Sequence, residues 1–122
     1  MVRYIPNNTM SLPHPIPDDL IELIAYRLRA IAEPMRIKLL DRLREGEASV
    51  NELTEALDAS QQNVSKHLAV LAEVGILGRR KKGTNVYYRI VDEGAFALCD
   101  QVCGSVQQQL LALNELVAGI GQ

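Results

Sequence analysis

The stretch that decides the fold is Asp58–Leu77, DASQQNVSKHLAVLAEVGIL. It begins polar and amide-rich and ends apolar. A helix turns roughly 100° per residue, so Leu68 and Leu71 fall within about 40° of Val64 and form one inward stripe. Gln62, Ser65, Lys66 and Ala69 fall on the opposite face. A helix that needed only solubility would carry Glu and Lys there. Amides, hydroxyls and one cation are what hydrogen-bonding to a patterned polar partner requires. Gln pairs with adenine edges, Ser is adaptable, and Lys reaches guanine or phosphate, while small Ala69 lets a groove wall approach.

The flanks support a DNA-reading helix. Ser60 is a helix cap. Before it, Ser49 and Glu52 make an S-x-x-E capping box opening SVNELTEAL, and Asp58 with Ala59 makes the short turn between two short helices. That is a helix-turn-helix. After it, Gly75 supplies a left-handed helix end. ILGRR and VYYRIV then read as strands joined by KKGTN, a hairpin loop with glycine at its tip. Arg79, Arg80, Lys81 and Lys82 make the hairpin basic, as expected of a wing gripping phosphates. The expected DNA contacts are therefore Ser60, Gln61, Gln62, Asn63, Ser65 and Lys66 from the helix, with those four cations from the wing. His67, about 60° from the core direction, reads as a hydrogen-bonded half-buried residue or a phosphate contact before a metal ligand.

Further out, Met1–Pro17 holds Pro6, Pro13, Pro15 and Pro17 and reads as an extended arm. Asp18 is the expected cap of a first helix, with Leu20, Ile21, Leu23, Ile24, Leu28 and Ile31 at helical spacing. Pro34 opens a second helix with Met35, Ile37, Leu39, Leu40 and Leu43 inward, stopping by Gly46. Asp92 caps a last helix from Glu93 to about Val117. Along it Phe96, Cys99, Cys103, Val106, Leu110, Leu113 and Val117 form a heptad-like seam. The expected fold is mostly α with one small β-hairpin. A domain over 18–118 lies between the arm, 1–17, and a tail, 119–122.

The 122 residues fit one domain, and 48% of them are hydrophobic, enough for a core. No apolar run approaches a membrane span, and the N-terminus lacks the apolar stretch of a secretory signal. The net charge is −2, so local clustering has to carry the nucleic-acid argument. With no Trp and one Phe, the chain offers no stacking platform for single strands. No nucleophile–base pair, phosphate loop or closed metal motif points to an enzyme, and none calls for a cofactor.

The two cysteines, Cys99 and Cys103, lie four apart on one helix, where a disulfide would be strained. Reduced thiols in a cytoplasm fit better. A small apolar thiol often only fills space. A pair one helical turn apart can also clamp a thiophilic centre, trivalent arsenic or antimony above all. Zinc would want two more ligands. A redox or persulfide switch is the alternative, weakened because Asp100 disfavours a thiolate and no cation lies within a turn on the same helix. A winged-helix module that binds only protein is a third reading, opposed by the basic wing.

At IAEPMRIKLLDRL, SQQNVSKHLAVLAEVGIL and RRKKGTNVYYRI, over about Ala30–Val117, the chain resembles the ArsR/SmtB family of bacterial winged-helix repressors. The resemblance implies a cytoplasmic homodimer built from the first and last helices. It implies a pseudo-palindromic operator in double-stranded DNA and an inducer that releases it. Two family sites are missing. Ser49, Asn51 and Thr54 stand where many metalloid sensors carry cysteines, and no histidine follows His67 to complete a zinc site on the last helix. Cys99 and Cys103 remain as the candidate sensor pair.

Overall fold

The structure, a computed structural model, describes residues 12–120. The arm up to residue 11 and the last two residues lie outside them. The elements are α1 (Asp18–Ile31), α2 (Pro34–Leu43), β1 (Ala48–Ser49), α3 (Val50–Leu57), α4 (Gln61–Glu73), β2 (Leu77–Lys82), β3 (Asn85–Ile90) and α5 (Glu93–Ile120).

Helix starts follow the local chemistry. Pro34 is the first residue of α2, and the Glu33 carboxylate accepts the Arg36 N–H at 3.0 Å. The capping box at Ser49 and Glu52 is complete, with bonds of 2.9 and 3.1 Å. Ser60 Oγ accepts the Asn63 N–H at 3.1 Å, and Asp92 Oδ1 accepts the Ala95 N–H at 3.1 Å. Between α3 and α4 the chain turns at Asp58, in the left-handed region at φ 48°, which Asp tolerates better than most residues. Gly75 ends α4 at φ 85°.

One expected cap is corrected. Asp18 is the first residue of α1, and Pro17 is its N-cap, with no side-chain bond. The proline ring already holds the extended backbone that a cap needs, so Asp18 and Asp19 place their charges in the first turn, at the positive end of the helix dipole.

The sheet is larger than one hairpin. β1 pairs with β3, Ala48 opposite Tyr88 and Ser49 opposite Tyr87, giving the order β1-β3-β2. A two-residue strand has no periodicity to read, so only the fold exposes it. The wing turn is also tighter than KKGTN. Lys82 pairs with Asn85, leaving Gly83, at φ 63°, and Thr84 at the tip.

The core closes on Leu39, Leu40, Leu53, Val64, Leu68, Leu71 and Ile76, all fully buried. Each such side chain contributes about 1.5–3 kcal/mol relative to exposure. Ile37 departs from its expected inward position and is 39% exposed. It turns away from the core arc of Leu39 and Leu43, toward the gap between α2 and α5. Most of the α1 stripe is open as well: Leu23 is 66% exposed, and of its expected residues only Ile31 is buried. Arg27 ties this helix in. It forms an ion pair with Asp92, at the start of α5, and donates to the Val74 carbonyl at the end of α4, 2.5 Å away.

Candidate nucleic-acid interface and thiol pair

The two faces of α4 are divided as the spacing requires. Val64, Leu68 and Leu71 are fully buried, while Gln61, Gln62, Lys66 and Ala69 are exposed and Asn63 and Ser65 half-buried. Ser60 is exposed and spends its hydroxyl on the cap. Between α4 and the wing lies a cleft of about 150 Å³ lined by Asn51, Gln61, Ser65, Thr84 and Asn85 with apolar neighbours. Asn51, Thr84 and Asn85 carried no assignment from the sequence, because they become neighbours of Gln61 and Ser65 only when β3 folds back beside α3 and α4.

The four wing cations are not equivalent. Arg79, Lys81 and Lys82 are exposed. Arg80 donates to both Glu47 carboxylate oxygens, at 2.8 and 2.7 Å, and lies 4.9 Å above the Tyr87 ring. These bonds hold the Glu47 carboxyl below its usual range and raise the guanidinium of Arg80. Much of the Arg80 donor capacity is therefore committed inside the protein, stitching the wing to the turn before β1.

His67 is 8% exposed. Its Nδ1 lies 3.1 Å from Arg36 Nη1 and 3.6 Å from Glu33 Oε2. Arginine only donates, so Nδ1 accepts and the neutral ring carries its proton on Nε2. Arg36 Nε also donates to the Ala30 carbonyl at 2.5 Å. Burial opposes ionisation of Glu33, but the Arg36 N–H bond and the nearby Arg36 guanidinium hold it below the usual carboxylate range. Of the expected roles for His67, this is the hydrogen-bonded one: it fastens α4 to the start of α2.

The thiols lie at the junction of α5 with α1 and α2. Cys99 is half-buried against the core and Cys103 is exposed. Burial pushes the Cys99 thiol above its ordinary pKa, and Cys103 and Asp100 add to the shift. Two cavities flank the pair. One, of about 380 Å³, includes Asp41, Arg44, Phe96, Asp100 and Gln107. The other, of about 270 Å³, is lined by Leu28, Ile31, Ala32, Ile37, Leu98 and Val102. Arg44 donates to Asp100 at 2.6 Å and lies 5.0 Å over the Phe96 ring, so the residue that ends α2 supplies a cation near α5. It pairs with Asp100, and the Cys99 thiol remains raised. Among the described residues, no group of three or more Cys, His, Asp or Glu could hold a metal ion. The rest of the seam, Val106, Leu110, Leu113 and Val117, is exposed along α5. Among the described residues no helix is long and apolar enough to cross a membrane.

Residues 31–80 match a family described as a helix-turn-helix domain. The chain is 37% identical over 82 residues to the HTH-type transcriptional repressor SmtB of Mycobacterium tuberculosis, covering 67% of this chain and 61% of that protein. It thus spans about three fifths of the length of that relative. It is 33% identical over 90 residues to the biofilm growth-associated repressor of Agrobacterium fabrum, covering 74% of this chain and 77% of that one. Among solved structures, the AntR antimony-specific transcriptional repressor superposes with a TM-score of 0.74 at 26% identity, covering 81% of this chain and 90% of that chain. The homodimeric winged helix-turn-helix domain Mb0332 of Mycobacterium bovis, described as possibly of the ArsR family, gives 0.69 at 28% identity, covering 80% and 94%. These relatives are transcription regulators and not enzymes.

Proposed function

The chain belongs to the ArsR/SmtB family of winged helix-turn-helix regulators, and from that membership we propose that it is a cytoplasmic, homodimeric transcriptional repressor whose inducer is a thiophilic trivalent metalloid held by Cys99 and Cys103. The observation that carries the DNA part is the division of α4. Its apolar face is locked into the core, and its polar face, with Gln61, Gln62 and Lys66 exposed, borders a cleft shared with Thr84 and Asn85 of the wing. Gln61, Gln62, Asn63, Ser65 and Lys66 read base edges in this scheme, Ser60 orients their helix, and Arg79, Lys81 and Lys82 hold phosphates. Arg80 supports the wing and adds charge. A two-fold dimer reads two half-sites roughly 34 Å apart, which makes the operator pseudo-palindromic.

The inducer reading rests on the two sulfurs one helical turn apart at the α5 junction with α1 and α2. The likeness to an antimony-specific repressor supports it. A metalloid bridging both sulfurs restricts each side chain to one rotamer and thickens the seam beside α1 and α2. It releases DNA only as far as it prefers the released form, with a typical coupling of about 1–3 kcal/mol, and DNA weakens metalloid binding by the same factor.

The test is an anisotropy titration of operator DNA with arsenite and antimonite, on wild type, Cys99→Ser and Cys103→Ser. The expected outcome is release in the wild type and none in either variant. If peroxide or persulfide releases the wild type and neither metalloid does, the redox reading replaces this one. If both variants respond as wild type does, the cysteines only fill space.

A further inference from the structure

His67 sits where the two faces of α4 meet. It directly follows Ser65 and Lys66 of the candidate reading face and precedes the fully buried Leu68. Its ring faces two charged groups at the start of α2, Arg36 Nη1 at 3.1 Å and Glu33 Oε2 at 3.6 Å. Arg36 also holds the Ala30 carbonyl at the end of α1, and the same Glu33 oxygen caps α2 by accepting the Arg36 N–H. Exposed Lys66 is the neighbouring cation on its own helix. Arg27 of α1 meets α4 about two turns further on, at the Val74 carbonyl.

A buried acceptor in contact with a cationic donor tolerates one charge state. Protonated, the ring would set an Nδ1–H against the Arg36 guanidinium, with donors on both sides and no acceptor between them. At 8% exposure, water does not replace the lost partner. Relief comes in one of two ways. Arg36 swings out and releases the Ala30 carbonyl, or the ring turns to Glu33 and draws that carboxylate off the α2 cap. Either movement loosens α4, and the reading face with it, from α1 and α2.

We propose that neutral His67 is a positioning residue for DNA reading: by accepting from Arg36 it holds α4 in the binding orientation, and protonation of its ring releases the operator. The inference rests on the reading of α4 as the DNA-reading helix and adds the contact that orients it. Binding is therefore complete while the ring is neutral and is lost as pH falls through its titration. Bulk electrostatics act in the opposite sense, since added protons make the protein more positive and strengthen its hold on phosphates. A histidine in direct contact with phosphate would also bind more tightly in acid.

The experiment follows, by anisotropy, binding of a duplex from the chain's own promoter to the reduced, full-length protein. It runs between about pH 7.5 and about pH 5.5, where imidazole changes charge and ordinary carboxylates do not. Proton–nitrogen correlation spectra of the free protein follow the ring over the same range. The chain has two histidines, and His14→Gln isolates His67. The expected result is a ring with its proton on Nε2 at the upper end and affinity that falls about tenfold as it protonates, the worth of one hydrogen bond to a charged group. His67→Asn, whose Oδ1 takes the place of Nδ1, should keep most of the affinity and lose the pH dependence, while His67→Leu binds weakly throughout. Affinity that holds level or rises as the ring protonates overturns the inference, and a rise would make His67 a phosphate contact. A ring with its proton on Nδ1, a ring still neutral at the lower end, or an unchanged pH dependence in His67→Asn overturns it as well. A wild type that binds no promoter duplex at the upper end sinks the DNA reading itself, and this inference with it, whatever the ring spectra show.

Discussion

Ser49 joins two elements through one residue. Its backbone pairs with Tyr87 in the sheet, and its hydroxyl caps α3 by accepting from the Glu52 N–H. Ser49→Ala is expected to destabilise the fold by about 1 kcal/mol, as urea unfolding would measure. The Glu52 carboxyl is held below its usual pKa, first by the Ser49 N–H and then by the rest of the box. A depressed folded pKa means that the stabilisation is present above the ordinary carboxylate range and is lost as pH falls through the folded value. The stability gap between wild type and Glu52→Gln should therefore be open at neutral pH and close in acid. A gap independent of pH would show that the carboxylate charge contributes nothing. These caps could be read directly from the sequence because both partners lie within four residues. The Arg36–His67 and Arg80–Glu47 contacts could not, since they span 31 and 33 residues.

Within α4 and the wing, side chains of similar charge and polarity are given different work by their surroundings. Gln62→Ala or Ser65→Ala is expected to cost about 1–3 kcal/mol per half-site and to relax sequence preference, if either contacts a base. Lys81→Ala or Lys82→Ala should weaken all sequences alike and reduce the salt slope by about one phosphate contact. Arg80→Ala should behave differently. It removes the tie to Glu47 and Tyr87, so faster amide exchange in β1 and β2 should accompany weaker binding. A binding titration in which Gln62→Ala and Ser65→Ala keep wild-type preference would show that the reading face is elsewhere. Sequence alone made the four wing cations look interchangeable. The pairing of Glu47 with Arg80 separates them, and it depends on β1, which is too short to announce itself.

For the molecule as a whole, the telling quantity is apolar surface left open by a single chain. Ile21, Leu23 and Leu28 on α1 and Val102, Val106, Leu110, Leu113, Leu116 and Val117 on α5 are exposed. So much aliphatic surface on two helices is more than a soluble monomer usually leaves bare. The expected state is a homodimer at micromolar concentration by sedimentation velocity. Leu110→Glu combined with Leu113→Glu should shift it to monomer and remove tight operator binding, because each half-site alone is weak. A wild-type monomer at micromolar concentration would sink this architecture.

The sequence by itself determined the helices, their capped ends, the hairpin, the inward stripe of α4 and the candidate reading face. All of these are set by neighbours within a turn or two, through periodicity, hydrogen-bonding caps and glycine conformations. Only the tertiary structure decided that Pro17 rather than Asp18 precedes α1, that β1 adds a third strand, and that Ile37 turns toward α5. Tertiary structure alone also gave His67 to Arg36, Arg80 to Glu47, and the two thiols a polar cleft on one side and an aliphatic one on the other. Each of these depends on which distant segment arrives beside a residue. Packing of the whole core settles that, because no local pattern encodes a partner thirty or more residues away.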